Sequence, residues 1–235
     1  MKTSVNTSKF FALIPARKGS VGIKNKNLIS INNKKLIEHT FDSVNKSKLI
    51  NECYVSSNDP KIIKLAKKHK NFKIIFRKNN LSNSSALMKD VVINSINYLC
   101  EHDELENINI ILLQPTSPLR TNVDIDKAIK CFSKFRDKRS LVSTSPPVTH
   151  PNDIIYKKNN KTLFLLENAK QANRQNLKKF FFVNGSIFIF NAKYFLKEKK
   201  FINSNTFFFN MGKEHSFELD DYLDLKILKV LKNDF

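Results

Sequence analysis

The chain has 235 residues, 41% of them hydrophobic, which is enough for a sizeable core in one domain and excludes disorder as the default state. A net charge of +20 would ordinarily suggest nucleic acid or an anionic membrane surface as partner. The lysines, however, are scattered among abundant Asn, Ile and Phe, without an aromatic RNA-binding pattern, zinc-finger spacing or Arg-rich arm, so no nucleic-acid partner is expected. Cys53, Cys100 and Cys131 are odd in number and widely spaced, which indicates neither a disulfide framework nor a zinc site and fits a reducing cytoplasm. The first ten residues lack an apolar signal core, and no run approaches the ~18 apolar residues of a membrane span. The expectation is a cytoplasmic protein without membrane contact.

In chain order, short apolar runs predict strands at 10–15, 52–56, 72–76, 108–113 and 140–144. Helical stripes fall between them: Leu36, Ile37, Thr40, Phe41 and Val44; Ile62, Leu65 and Ala66; Val91, Val92, Ile96 and Leu99; Val123, Ile125, Ile129 and Phe132. This alternation is the pattern of βαβ units, and predicts an α/β fold with a mainly parallel central sheet. After Pro146-Pro147 come two short strands, 154–156 and 162–166, and a polar stretch over 168–175. We read 146–180 as an insertion within a single domain spanning 1–235. The chain returns through 180–190, crosses 191–199 as a short helix and closes with an amphipathic helix over 219–231, where Leu219, Leu223, Ile227 and Leu231 form the expected core face.

The segment LIPARKGSVGIKNKN, residues 13–27, carries two of the four glycines and four cations directly after the first strand. Gly19 and Gly22 let main-chain N–H groups approach an anion, while Arg17, Lys18, Lys24 and Lys26 supply charge. A polyanion is the expected guest. The loop matches neither G-x-x-x-x-G-K-[ST] nor G-x-G-x-x-G. In parallel sheets ligands sit beyond the carboxyl ends of the strands, where the 16–27 and 114–120 loops both emerge, so the two loops should share one cleft.

The 13–27 loop resembles the signature I-P-A-R-x-G-S-K-G-I-x-x-K-N of the acylneuraminate cytidylyltransferases, sugar nucleotidyltransferases also called CMP-sialic acid synthetases. LLQPTSPLR (Leu112 to Arg120), Arg174-Gln175 followed by FVNGSIFI, and SFELDDYLDL (Ser216 to Leu225) agree in order. The resemblance implies a three-layer Rossmann-like fold, transfer of CMP from CTP to an acidic nine-carbon ketose, and release of pyrophosphate. Close relatives of that acceptor, legionaminic, pseudaminic or 3-deoxy-octulosonic acid, and a non-catalytic nucleotide-binding descendant are the alternatives. It further implies a homodimer through the inserted lobe.

Carried over by this resemblance, Arg17 and Lys26 are the expected catalytic phosphate contacts, and Ala16, Gly19, Ser20, Gly22, Asn27 and Arg77 complete the nucleotide site. Gln114, Arg174, Asn184 and Gly185 are expected at the acceptor sugar, with Arg120 ordering the loop through carbonyl contacts. Glu218 and Asp220 match paired acids that hold Mg²⁺; alternate residues of an extended strand point to one side, and Mg²⁺ takes one or two carboxylates with water and phosphates. Asp221, Asp224, Asp124 and Asp126 are assigned instead to helix N-termini. The chain departs from the pattern at Val21, where the signature has Lys, and at Ser84, Met88 and Phe182.

Overall fold

The computed structural model describes residues 8–20, 22–100, 105–135, 139–166 and 178–233. Val21, Arg174 and the whole of the predicted polar stretch at 168–175 lie outside the described residues. β1 (Lys9–Pro15) is followed by the short pair β2 (Ser30–Ile31) and β3 (Lys34–Lys35), α1 (Leu36–Lys46), β4 (Glu52–Ser57), α2 (Pro60–Ala66), β5 (Phe72–Phe76) and α3 (Met88–Cys100). Then come β6 (Ile108–Leu112), α4 (Asn122–Ser133), β7 (Ser140–Ser145), β8 (Ile155–Lys158), β9 (Lys161–Phe164), β10 (Phe182–Asn191), α5 (Ala192–Glu198), β11 (Thr206–Asn210) and α6 (Tyr222–Asn233).

Seven strands form one sheet in the order β11-β7-β10-β6-β1-β4-β5. Only β10 runs antiparallel, to both β6 and β7. The expected parallel α/β fold is therefore present, with β11 as an edge strand that the sequence reading did not anticipate. Central strands are buried on both faces, and their residues alternate between two cores. Phe10, Ala12 and Ile14 of β1 pack with Ile37 and Phe41 of α1, Ile62 of α2 and Ile129 of α4. Phe11 and Leu13 face Val92 and Ile96 of α3 and Phe195 of α5. Sheet and helices thus make three layers.

The chain crosses from β1 to β4 and β5 on one side, then to β6 on the other. This reversal opens a crevice beyond the carboxyl ends of β1 and β6. A third, smaller core lies under that crevice, built from Ile23, Ile31, Leu36, Leu119, Leu219 and Leu228. It joins the loop after β1, the loop after β6, and the turn before α6.

The last helix starts later than periodicity predicts. Asp221 Oδ1 accepts from Asp224 N at 2.9 Å, and Asp224 Oδ2 accepts from Asp221 N at 3.0 Å, a reciprocal cap that begins the helix at Tyr222. Leu219 is buried outside the helix, and the inward face carries Leu225, Leu228 and Leu231. Leu223 and Ile227, expected in the core, are exposed. The helix has two apolar rows, and the cap selects which one faces the sheet. Asp124 caps α4 with Thr121, as its placement at a helix start implies. Asp126 instead accepts from Ser47 Oγ and Lys48 N.

Residues 154–166 form a separate hairpin, β8 with β9, in which all eight strand residues are exposed. No described helix is long and apolar enough to cross a membrane.

Candidate active site

The loop after β1 is held at both ends. Ala16 N donates to Ser56 O at 2.9 Å, and Lys18 N donates to Asn58 Oδ1 at 2.7 Å. Asn27 Nδ2 reaches back to Arg17 O at 3.5 Å, closing the loop on itself. Gly19 has φ of 75°, with nothing near the position of a Cβ atom, so the backbone there is open to a ligand. Ser20 beside it is half-buried.

Two guanidinium groups stand at the β1–β5 side. Arg77 is 6% exposed, and donates through Nε to Ser56 Oγ at 3.3 Å and through Nη2 to Ser56 O at 3.1 Å. Arg17 Nη1 donates to Ser82 O at 3.5 Å. Burial, and then the positive charge of Arg17, push the Arg77 pKa down to about 10. Both partners of these cations are neutral oxygens. Two like charges in proximity, with no acidic partner among the described residues, form a place that an anion would stabilise.

The opposite wall is the 216–220 turn. Leu219 N donates to Thr116 O at 2.8 Å, and Thr116 Oγ1 donates to Glu218 Oε1 at 3.3 Å. Lys26 Nζ donates to Leu219 O and Asp220 O, both at 3.0 Å, and pairs with Asp220 Oδ1 at 3.4 Å. Gly22 lies so close that a Cβ atom there would sit 2.9 Å from Asp220 O. The 16–27 and 114–120 loops, expected to share a cleft, meet on this turn. Glu218 and Asp220 do not belong to a strand, contrary to the sequence reading. Hydrogen bonds from neighbouring loops hold the segment in place of a ladder.

Burial, followed by the charge of Asp220, raises the Glu218 pKa, while Thr116 and Lys26 oppose the shift. Asp220 is open, its side chain 71% exposed. No group of three or more His, Cys, Asp or Glu among the described residues could hold a metal ion alone. Two neighbouring carboxylates that repel one another, one of them exposed, fit a hard divalent cation completed by water and substrate oxygens. The donor set suits Mg²⁺.

Where β6 ends beside β10, Gln114 Nε2 donates to Gly185 O at 3.4 Å. Gly185 has φ of 68°, a conformation natural to glycine, where β10 departs from regular register between Val183 and Phe188. Asn184 is buried and engaged within the protein: Oδ1 accepts from Ser143 Oγ at 2.5 Å and Ser186 N at 3.2 Å, and Nδ2 donates to Ser216 Oγ at 2.9 Å. Its geometry braces β10 and does not present an amide to a sugar. Arg120, 2% exposed, donates through Nη1 to Gln114 O at 3.2 Å and Ser186 O at 2.7 Å, and through Nη2 to Thr40 Oγ1 at 2.9 Å. Burial pushes its pKa down to about 9, against the opposing influence of Asp124. The expected carbonyl contacts are present.

The structure therefore gathers Ala16, Arg17, Gly19, Ser20, Gly22, Lys26, Asn27, Arg77, Gln114, Gly185, Glu218 and Asp220 around the ends of β1, β4 and β6. Sequence reasoning did not single out Thr116, which holds Glu218, Ser56, which holds Arg77, or Ser216, which meets Asn184. Thr116 and Ser216 lie inside quoted motifs and were within reach; Ser56, outside them, carries no comparable signal.

A profile of the cytidylyltransferase family matches residues 11–233. The N-acylneuraminate cytidylyltransferase of Streptococcus agalactiae serotype V is 31% identical over 90% of this chain, and the chain spans about half the length of that relative, 50%. The CMP-N,N'-diacetyllegionaminic acid synthase of Campylobacter jejuni is 29% identical over 95% of both chains. The pseudaminic acid cytidylyltransferase of the same species is 26% identical over 95% of this chain and 96% of its own. Among solved structures, a CMP:2-keto-3-deoxy-manno-octonic acid synthetase complexed with CTP superposes with a TM-score of 0.72 at 14% identity, covering 97% of this chain and 99% of its own. The last likeness concerns the fold. With the profile spanning nearly the whole described sheet and the relatives agreeing, the chain belongs to the cytidylyltransferase family.

Proposed function

We propose that this chain transfers CMP from CTP to an acidic nine-carbon ketose of the N-acetylneuraminic type. The ketose hydroxyl oxygen forms a bond to the α-phosphorus, the bond from that phosphorus to the bridging oxygen breaks, and pyrophosphate leaves. The observation that carries this reading is the shared loop: Arg17 and Arg77 on one side and the Glu218–Asp220 turn on the other meet residues 16–27. Positioning and electrostatic stabilisation dominate phosphoryl transfer, and this arrangement supplies both. Arg17, Arg77 and the amides around Gly19 bind the triphosphate, with Ala16, Ser20 and Asn27 shaping the loop. Glu218 and Asp220 hold Mg²⁺, which when bound neutralises charge on the phosphate oxygens. Gln114 and Gly185 face the acceptor, and Arg174 is assigned to its carboxylate by resemblance alone.

Legionaminic, pseudaminic and 3-deoxy-octulosonic acids are the competing acceptors, since relatives named for the first two are similar over nearly the whole chain. The enzyme works where CTP is made, in the cytoplasm, as a homodimer joined through the exposed 154–166 hairpin. Pyrophosphate release from CTP, Mg²⁺ and each acidic ketose in turn tests the reading. Release dependent on one ketose supports it and names the acceptor; CTP binding with no release on any ketose supports a non-catalytic descendant.

A further inference from the structure

We propose that the pocket between α2 and the turn at 25–29 binds a small carboxylic acid with an apolar body, at a site separate from the candidate active site. Such binding does not depend on the proposed cytidylyl transfer.

The pocket encloses about 510 Å³, a volume ordinary for small-molecule sites. Leu28, Ile29 and Leu65 give it an apolar wall. Leu28 and Leu65 pack against the core beneath α1 and α2, and Ile29 against the smaller core under the crevice, so the wall is fixed from behind. Four lysines complete the lining: Lys35, Lys61, Lys64 and Lys68. Lys61, Lys64, Leu65 and Lys68 recur at the spacing that puts residues on one side of a helical turn. Lysines that look scattered in the sequence are thus gathered by the fold.

Among the described residues, none of these four ammonium groups pairs with an acid, and Lys35 Nζ donates to the neutral Ser30 Oγ at 2.7 Å. Lys26, Lys34, Lys73 and Lys193, by contrast, each meet a carboxylate. Like charges gathered around an apolar pocket repel one another, and an anion seated among them relieves that repulsion. The acid is the missing partner.

The lining also selects the class of acid. It contains no arginine, so no planar fork awaits a phosphate, and no glycine, so it lacks an open backbone of the kind seen at Gly19. Asn25 is the one side-chain amide. A nucleotide would find too few partners here, whereas a carboxylate needs only point charges and its hydrocarbon only the apolar wall. The turn at 25–29 stands between this pocket and the active-site loop: Leu28 and Ile29 line the pocket, while Asn27 Nδ2 reaches Arg17 O. The two sites share a turn and no lining residue.

The test titrates sodium octanoate and octanol into methyl-labelled protein and follows the Leu28, Ile29 and Leu65 methyl groups by NMR. Wild type is compared with a Lys61→Gln/Lys64→Gln/Lys68→Gln variant, whose three substituted side chains are exposed and leave the packing intact. We expect saturable octanoate shifts at all three residues and about tenfold weaker affinity for octanol. The triple variant should bind octanoate about tenfold more weakly than wild type. Saturating CTP, added in chelator, should leave octanoate affinity within about twofold of its value alone.

Absence of saturable shifts at these methyl groups overturns the proposal. Octanol binding as tightly as octanoate, or an unchanged triple variant, also overturns it, because the lysines would then select nothing. Displacement of octanoate by CTP does so too, by placing the acid in the nucleotide cleft. A chain that releases no pyrophosphate with any ketose would defeat the catalytic reading alone, since none of these titrations requires turnover.

Discussion

The Glu218 carboxylate lies against Gly185: a Cβ atom built on that glycine would stand 3.3 Å from Glu218 Oε1. The backbone at Gly185 is left-handed, with φ of 68°. β10 and the acid turn therefore touch through a residue that has no side chain. Gly185→Ala should destabilise the protein by about 1–2 kcal/mol through its backbone conformation. By displacing Glu218 it should also lower kcat by about tenfold or more. Thermal unfolding and steady-state kinetics measured together check this, and a variant with normal kcat would deny that the contact fixes the carboxylate.

Gly22 and Gly19 differ in what surrounds them. A Cβ atom at Gly22 would lie 2.9 Å from the backbone oxygen of Asp220, so the loop and the acid turn would have to separate. At Gly19 the space is open, but φ is 75° and the backbone faces the proposed triphosphate. We predict that Gly22→Ala lowers kcat by about 100-fold with a smaller change in KM for CTP. Gly19→Ala should chiefly raise that KM. Identical profiles for the two variants would remove the distinction.

Glu218 makes stability depend on pH in the metal-free protein. Burial first, then the charge of Asp220, hold its pKa above the ordinary 4.5 in the folded state. The folded chain thus binds this proton more tightly than the unfolded one does. The stability it contributes is present below 4.5 and is lost as pH rises through the folded value. Glu218→Gln cannot ionise, so in chelator it should unfold at a higher temperature than wild type near neutral pH, with the difference vanishing in acid near about pH 4. A difference of the same size at both pH values would trace the effect to packing.

The 154–166 hairpin exposes Ile155 and its cross-strand partner Phe164 on one face and Tyr156 on the other. Phe164→Asp should convert the proposed dimer to monomer in sedimentation velocity while leaving the unfolding temperature nearly unchanged. Wild type that sediments as a monomer at micromolar concentration would contradict the dimer.

Much of the fold was legible because the central strands are short apolar runs separated by helical stripes; β5 has the predicted limits, and β1, β4, β6 and β7 differ only by a residue at an end. β11 was missed because Thr206–Asn210 is half-buried at an edge, and its parallel pairing with β7 is a tertiary fact with no local signal. The final helix was placed three residues early, since Leu219 continues the leucine spacing although the Asp221–Asp224 cap excludes it. In the candidate site, the loop after β1 stood out by its glycines and cations. The partners of the site's cations did not: that Arg77 leans on Ser56, and Lys26 on Leu219 and Asp220, depends on contacts between residues far apart in sequence.

The most direct test of the central claim is pyrophosphate release with CTP, Mg²⁺ and the panel of acidic ketoses, comparing wild type with a Glu218→Gln/Asp220→Asn double variant. The account predicts ketose-dependent release from wild type, and a double variant that still binds CTP in chelator but releases none. Equal release from both proteins would contradict it, because the acid turn would then have no part in the transfer.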